Sequence, residues 1–247
     1  MPARFCAPLL IAIFACAPLI GLQAQADAPE PGHTAWDRLL QRHVRADGTV
    51  DYPGFAGERE QLDAYIADLG TRVPDSAWAR DRRLAYFINL YNALTVRLVL
   101  EHYPLRSIRD LPDPWGRELV SIGGKGYSLD VIEHQVLRKM GEPRIHFALN
   151  CASVSCPVLQ PHAFTEQGLD AQLEEAARSF INDPARNRIQ PGSAALSRLF
   201  KWYRSDFEGA SGSLPAFLNA YLDTPLEPGS RIRFLPYDWN LNQAPRP

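Results

Sequence analysis

His146 and Cys151 lie five residues apart in the stretch Arg144–Pro157, R-I-H-F-A-L-N-C-A-S-V-S-C-P. A thiol nucleophile with an imidazole base in reach is the minimum equipment for covalent catalysis. Ile145, Phe147 and Leu149 alternate with His146, Ala148 and Asn150, the period-two pattern of a half-buried strand. Such a strand delivers His146 and Asn150 to one face. Small polar residues follow, and Pro157 ends any ladder, so a turn is expected to present Cys151, Ser153, Ser155 and Cys156. The same residues admit plainer readings. A single strand histidine is usually a half-buried structural residue, and a buried cysteine is a small hydrophobe. Two cysteines five residues apart also suit a disulfide in an exported protein. The spacing His146-x4-Cys151-x4-Cys156 matches no common zinc pattern, and Cys-x-x-Cys is absent. Neither a metal nor a redox site is expected. The chain has no phosphate loop and no dinucleotide fingerprint, so no cofactor is expected.

The elements that position this stretch are mostly helices. Trp36, Leu39, Leu40 and Val44 follow helical spacing, Asp47-Gly48 is a turn, and Thr49–Tyr52 reads as extended. Gln61 to Gly70 reads as a helix closed by its glycine. Arg80 to Tyr103 is the strongest helix: Leu84 to Leu100 holds one charge, Arg97, in 17 residues. A helix apolar nearly all round is buried, and Pro104 ends it. Asn89 and Asn92 share one face of it. Buried amides need partners, so the pair either ties the helix to loop backbone or orients a catalytic group. Leu119 to Leu129 reads as two short strands around Gly123-Gly124. Ser128 caps a following helix closed by Gly141, which carries Glu133 and His134; Asp130 and His134 are spaced to pair at i, i+4. Thr165 is expected to cap a helix to about Asn182. Further helical pieces fall in Ala194–Phe207 and Leu214–Leu222, and Arg231–Leu235 reads as a strand. The expected fold class is α+β: one mainly helical domain, with a buried central helix packed on a small antiparallel sheet.

The chain's formal net charge is −2, and no basic stripe suits nucleic acid. Pro8 to Leu22 is an apolar run too short and broken to span a bilayer well. Ala24-Gln25-Ala26 reads as a cleavage site, making residues 1–26 a signal peptide and 27–35 a flexible linker. A lipid anchor on Cys16 is the rival reading, and Phe14 argues against it. The expected location is periplasmic or secreted.

Four segments together resemble the domain of unknown function 547 family: F-I-N-L-Y-N-A-L-T (Phe87–Thr95), S-L-D-V-I-E-H-Q-V-L-R (Ser128–Arg138), Arg144–Pro157 and F-K-W-Y-R-S-D-F (Phe200–Phe207). The resemblance runs from about Trp36 to Asn242, and its members include exported bacterial proteins. Its motifs centre on Asn89, Asn92, Glu133, His134, Arg138, His146, Cys151 and Asp206. Serine replaces the second cysteine in plant members, which favours Cys151 over Cys156 as nucleophile. The arrangement is also loosely similar to papain and transglutaminase-like enzymes, a likeness that does not fix function. The leading expectation is a cysteine-dependent hydrolase or acyltransferase acting on amide or ester bonds. Cys151 is its nucleophile, His146 or His134 its base, and Glu133 or Asp206 orients the imidazole. Asn89, Asn92 and Arg138 are candidates for substrate or oxyanion contacts. Either histidine would lower the thiol pKa through an ion pair. Substrates suited to the periplasm are peptides, peptidoglycan stems or protein side chains. The alternative is a non-catalytic binding or scaffold domain with a structural Cys151–Cys156 disulfide.

Overall fold

The structure is a computed structural model that describes residues 1 and 32–245. The expected signal peptide and its Ala24-Gln25-Ala26 site lie outside the described residues. The fold set out here belongs to the unit Pro31–Pro247.

Helix α1 (Thr34–His43) buries Trp36, Leu39 and Leu40. At the expected turn, Gly48 takes φ 78°, a conformation open to glycine at little cost. The extended piece is shorter than its sequence suggests. The Asp51 carboxylate accepts a hydrogen bond from the Gly54 amide, so a short helix α2 (Tyr52–Gly57) starts where extension was expected to continue. Helix α3 (Arg59–Gly70) follows.

Helix α4 (Arg80–Glu101) buries nearly every residue between Leu84 and Leu100. It packs chiefly on α2, α3 and the helix at Val131–Leu137. Its core also takes in Ile122 and Tyr127 of a small antiparallel hairpin, Tyr127 lying 6.1 Å from Phe87, so the expected helix-on-sheet contact is present beside a larger helix-on-helix packing. Strands β1 (Val120–Ile122) and β2 (Lys125–Tyr127) form the expected hairpin around Gly123-Gly124, with Val120 opposite Tyr127. Strands β3 (Arg188–Gln190), β4 (Ser193–Leu196) and β5 (Arg231–Phe234) form a second sheet. There β3–β4 is antiparallel and β4–β5 parallel, so this sheet is mixed rather than antiparallel. The α+β class stands. Among the described residues no helix is long and apolar enough to cross a membrane.

The stretch Arg144–Asn150 is not a strand. Pro143–Phe147 is a 3-10 helix, started by Pro143 and capped by Glu142, whose carboxylate accepts the Arg144 amide. The alternation misleads because both sides of the segment are buried. Ile145, Ala148 and Leu149 enter a core gathered around α4. Phe147 enters a second core built by α5 (Leu169–Asn182), α6 (Leu199–Trp202), α7 (Arg204–Ser211), α8 (Leu214–Asn219) and the mixed sheet. His146 and Asn150 are buried as well, and they do not project together. Helix α5 begins at Leu169 rather than Thr165, because the Thr165 hydroxyl is spent on a local turn, accepting the Gly168 amide.

Asn89 and Asn92 resolve towards the structural reading. The Asn89 amide donates to the Phe164 carbonyl at 2.8 Å and accepts the Phe164 N–H at 3.0 Å. Asn92 donates to the Ala148 carbonyl and accepts the Asn150 N–H, both at 2.9 Å. Each side chain therefore satisfies a donor and an acceptor of a loop that has no ladder of its own. Replacing Asn89 with Leu strands both Phe164 groups in the core, so N89L is expected to destabilise the fold by about 1–3 kcal/mol. Urea or thermal unfolding measures it, and an unchanged midpoint refutes the clamp.

Candidate active site

Cys151 follows the 3-10 helix, and a web of loop contacts fixes its place. The Asn150 side chain donates to the Pro157 carbonyl at 2.7 Å and accepts the Ala152 N–H at 2.9 Å. Ala152, fully buried, adopts φ 59°. A non-glycine residue in the left-handed region is strained unless its surroundings hold it there. Here its N–H is given to Asn150, and its carbonyl accepts the Asn242 amide. The C-terminal segment runs along the loop: Val154 donates to the Asn240 carbonyl, and Ser155 to that of Asp238. That segment brings Tyr237 over the thiol.

The partners of the Cys151 sulfur are the Ser153 hydroxyl at 3.1 Å and the Tyr237 hydroxyl at 3.4 Å. The Cys151 N–H in turn points at the Cys156 sulfur, 2.8 Å away. Burial pushes the Cys151 thiol up, but hydrogen bonds with Cys156, Ser153 and Tyr237 outweigh it and bring it down to about 7. Cys156 goes the other way, because burial raises its thiol well above the ordinary value. Both thiols are free, so the Cys151–Cys156 disulfide considered from the sequence is not formed. Nor does an imidazolium lower the Cys151 thiol. Among the described residues neither histidine is hydrogen-bonded to it, which corrects the expected ion pair.

A cavity of about 280 Å³ opens beside Cys151. Glu133, His134 and His146 line it too. Glu133 and His134 are consecutive on a π-helix, Val131–Leu137, whose start Ser128 caps by accepting the Val131 amide. His146 is 2 % exposed. Its ring stacks on Tyr203 at 3.8 Å between centroids, and its Nε2 lies 2.9 Å from Asp206 Oδ2. Burial lowers the His146 pKa, which keeps the ring neutral at pH 7. A carboxylate partner places the proton on Nε2 and leaves a lone pair on Nδ1. That Nδ1 has no hydrogen-bond partner and sits 4.0 Å from Glu133 Oε1. Glu133 itself accepts from the Tyr91 hydroxyl at 3.3 Å. His134 is half-exposed, with Nδ1 3.4 Å from Arg138 Nη1 and Nε2 3.8 Å from Asp130.

Asp206 is gripped twice. Arg138 makes a two-pronged contact, Nε to Oδ2 and Nη2 to Oδ1, each 2.7 Å. The Arg138 and His146 hydrogen bonds hold the Asp206 carboxyl far below the usual carboxylate range. Arg138 therefore orients the acid that orients His146, and it does not line the cavity. Asn89 and Asn92 do not line it either, and their amide groups already hold backbone partners. The expected substrate or oxyanion contacts by these three residues are not what the geometry offers. The structure does bring Cys151, His146, His134 and Glu133 to one cavity, with Asp206 behind His146. The sequence reading missed Tyr237, Tyr203 and Tyr91. The run P-Y-D-W-N-L-N at Pro236–Asn242 was the visible signal, an aromatic-rich tail with no element to bury it. Among the described residues no group of three or more His, Cys, Asp or Glu is arranged to hold a metal ion.

Residues 76–181 match the family model described as Protein of unknown function, DUF547. The matched span includes Glu133, His134, His146, Cys151 and Cys156, and leaves Asp206 and Tyr237 outside it. No curated protein and no solved structure matches the chain.

The Asp206 pair sets a pH dependence. Its carboxyl is depressed in the fold, so its stabilisation is complete above the unfolded value of about 3.9 and fades as pH falls towards the folded value. Arg138→Met removes the stronger grip. The variant is expected to be less stable than the native chain at pH 7, with the gap narrowing below about pH 4. Urea midpoints at pH 7 and pH 3 measure this; a gap that does not change with pH contradicts it.

Proposed function

The chain belongs to the DUF547 family, and from that premise we propose that it is a cysteine-dependent hydrolase or acyltransferase acting on amide or ester bonds. One observation carries the reading. The partly exposed Cys151 thiol is brought down to about 7 at the wall of a cavity shared with an unpartnered, carboxylate-oriented imidazole nitrogen. A thiolate populated near neutral pH is the reactive form of cysteine. In the proposed reaction the Cys151 sulfur attacks a carbonyl carbon. The thiol's proton passes to His146 Nδ1, which returns it to the leaving amine or alcohol as the thioester forms. Water, or an acceptor amine or alcohol, then attacks the thioester and the same nitrogen takes its proton; the C–S bond breaks, releasing the acyl product, and the proton returns to the Cys151 sulfur. Asp206 holds the imidazole tautomer throughout. The Tyr237 phenol, kept protonated by burial, lies 3.4 Å from the sulfur and suits a developing oxyanion.

The apolar run ending at Ala24-Gln25-Ala26 supports export. In that setting, peptides, peptidoglycan stems or protein side chains are the substrates to try first.

The test is alkylation by iodoacetamide across pH 5–10, read by mass on the peptide that carries Cys151. The rate is expected to rise with a midpoint about 7, while Cys156 stays unreacted. Ser153→Ala and Tyr237→Phe each remove a hydrogen bond from the thiolate and should move the midpoint up. His146→Ala should leave it in place, because hydrogen bonds with Cys156, Ser153 and Tyr237 rather than an imidazolium set it. A midpoint near the free-thiol value of about 8.5 overturns the reading.

A further inference from the structure

One wall of the cavity is aromatic. Tyr237 lies 4.5 Å from Trp239 and 4.8 Å from Trp202, centroid to centroid, and Trp115 reaches Trp239 at 5.9 Å. All four rings line the cavity. Trp202 is 44 % exposed, which carries the wall out to the surface. Three tryptophans and a tyrosine in one wall are more ring surface than a fold leaves partly bare without use. The remaining lining carries Glu133 and Asp130 beside His134 and His146, and among the described residues no Lys or Arg lines the cavity. The nearest guanidinium behind it, Arg138, is neutralised by its two-pronged contact with Asp206. Arg109, which does not line the cavity, already sits 5.2 Å from the Trp239 ring centroid. The wall thus shows within this chain that it can face a cation.

We propose that this cavity seats a cationic group of the substrate, an ammonium or guanidinium, against Trp202, Tyr237 and Trp239 with Glu133 and Asp130 as counter-charges. The inference rests on the reading of Cys151 as nucleophile, and it specifies which acyl compounds reach that nucleophile. Tryptophan faces attract cations more strongly than other rings do. A carboxylate pair in a partly enclosed cleft raises the local concentration of positive ligands and repels negative ones. Substrates that place a basic amine or guanidine beside the bond to be broken fit this lining, such as amides or esters next to a lysine or arginine side chain. Free terminal carboxylates do not.

Charge-matched thiol reagents test the seat directly. The full-length chain is treated at pH 7.5 with a trimethylammonium methanethiosulfonate and, separately, with its sulfonate counterpart. Rates are read on the Cys151 peptide by mass. In either reaction the thiolate displaces methanesulfinate, so charge is the main difference. The cationic-to-anionic rate ratio at Cys151 is expected to exceed the ratio for N-acetylcysteine amide by about tenfold or more. Trp202→Ala should cut that ratio several-fold; both reagents meet the same thiol, so any change in its thiolate population cancels from the ratio. A ratio equal to the free-thiol reference overturns the cation seat, even where the iodoacetamide midpoint near 7 upholds the nucleophile. A high ratio that Trp202→Ala does not alter assigns the preference to the carboxylates alone and overturns the aromatic seat. A Cys151 inert to all three reagents overturns the nucleophile and the seat together.

Discussion

The place of Cys151 hangs on the buried amide of Asn92. That side chain sits mid-helix in the most buried element of the fold, where an unpaired amide costs a few kcal/mol. It escapes that cost by gripping the Ala148 carbonyl and the Asn150 N–H. The loop, in turn, has no strand neighbour to satisfy those two backbone groups. Each side therefore specifies the other, and the residue after Asn150 is Cys151. Asn150 passes the constraint on through Ala152 and Pro157, which makes the strained φ of Ala152 tolerable. A single buried side chain thus couples helix α4 to the geometry around the sulfur.

Asp206 plays the matching part for the base. It joins three separate elements: Arg138 beyond the π-helix, His146 on the 3-10 helix and its own helix α7. The π form of Val131–Leu137 also fits this arrangement. Widened turns are frequent at functional sites, and here two consecutive residues, Glu133 and His134, both reach one cavity.

The helices were legible in the sequence because their patterns are long and one-sided. Arg80–Glu101 could be read from a single charge in 17 residues, and the hairpin from Gly123-Gly124. The Arg144–Asn150 stretch was misread for a physical reason. Period-two alternation signals a strand only where one face is wet, and Ile145 to Asn150 is buried on both sides, between two cores. The glycine-free positive φ at Ala152 leaves no mark in composition. The amides of Asn89 and Asn92 were visible as buried polar residues, but their partners, 58 and 75 positions away, follow from tertiary packing alone. The residues around Cys151 were likewise named without their pairing. Spacing suggested His146 as the thiol's partner, whereas Ser153 and the distant Tyr237 hold that position.

That exchange of partners changes the electrostatics expected of the site. A thiolate–imidazolium pair would place two charges in a dry pocket at rest. Here burial disfavours the charge on His146, and hydrogen bonds support the charge on Cys151. Hydrogen bonds to a charged group are stronger than those between neutral groups, and those at Cys151 outweigh the burial that disfavours its thiolate. His146 then rests as a neutral base, with an unpartnered lone pair on its buried Nδ1. In the proposed reaction its positive charge exists only while it holds the migrating proton. During that interval Nε2 faces the Asp206 carboxylate and Nδ1 faces Glu133 at 4.0 Å. At that distance, with an effective dielectric near 20, a unit-charge attraction is about 4 kcal/mol. Glu133 thereby stabilises the imidazolium when it forms, while desolvation keeps it from forming in the resting site. The two carboxylates flanking one buried imidazole act on the charged intermediate more than on the ground state, which is the condition for lowering a barrier rather than merely binding a proton.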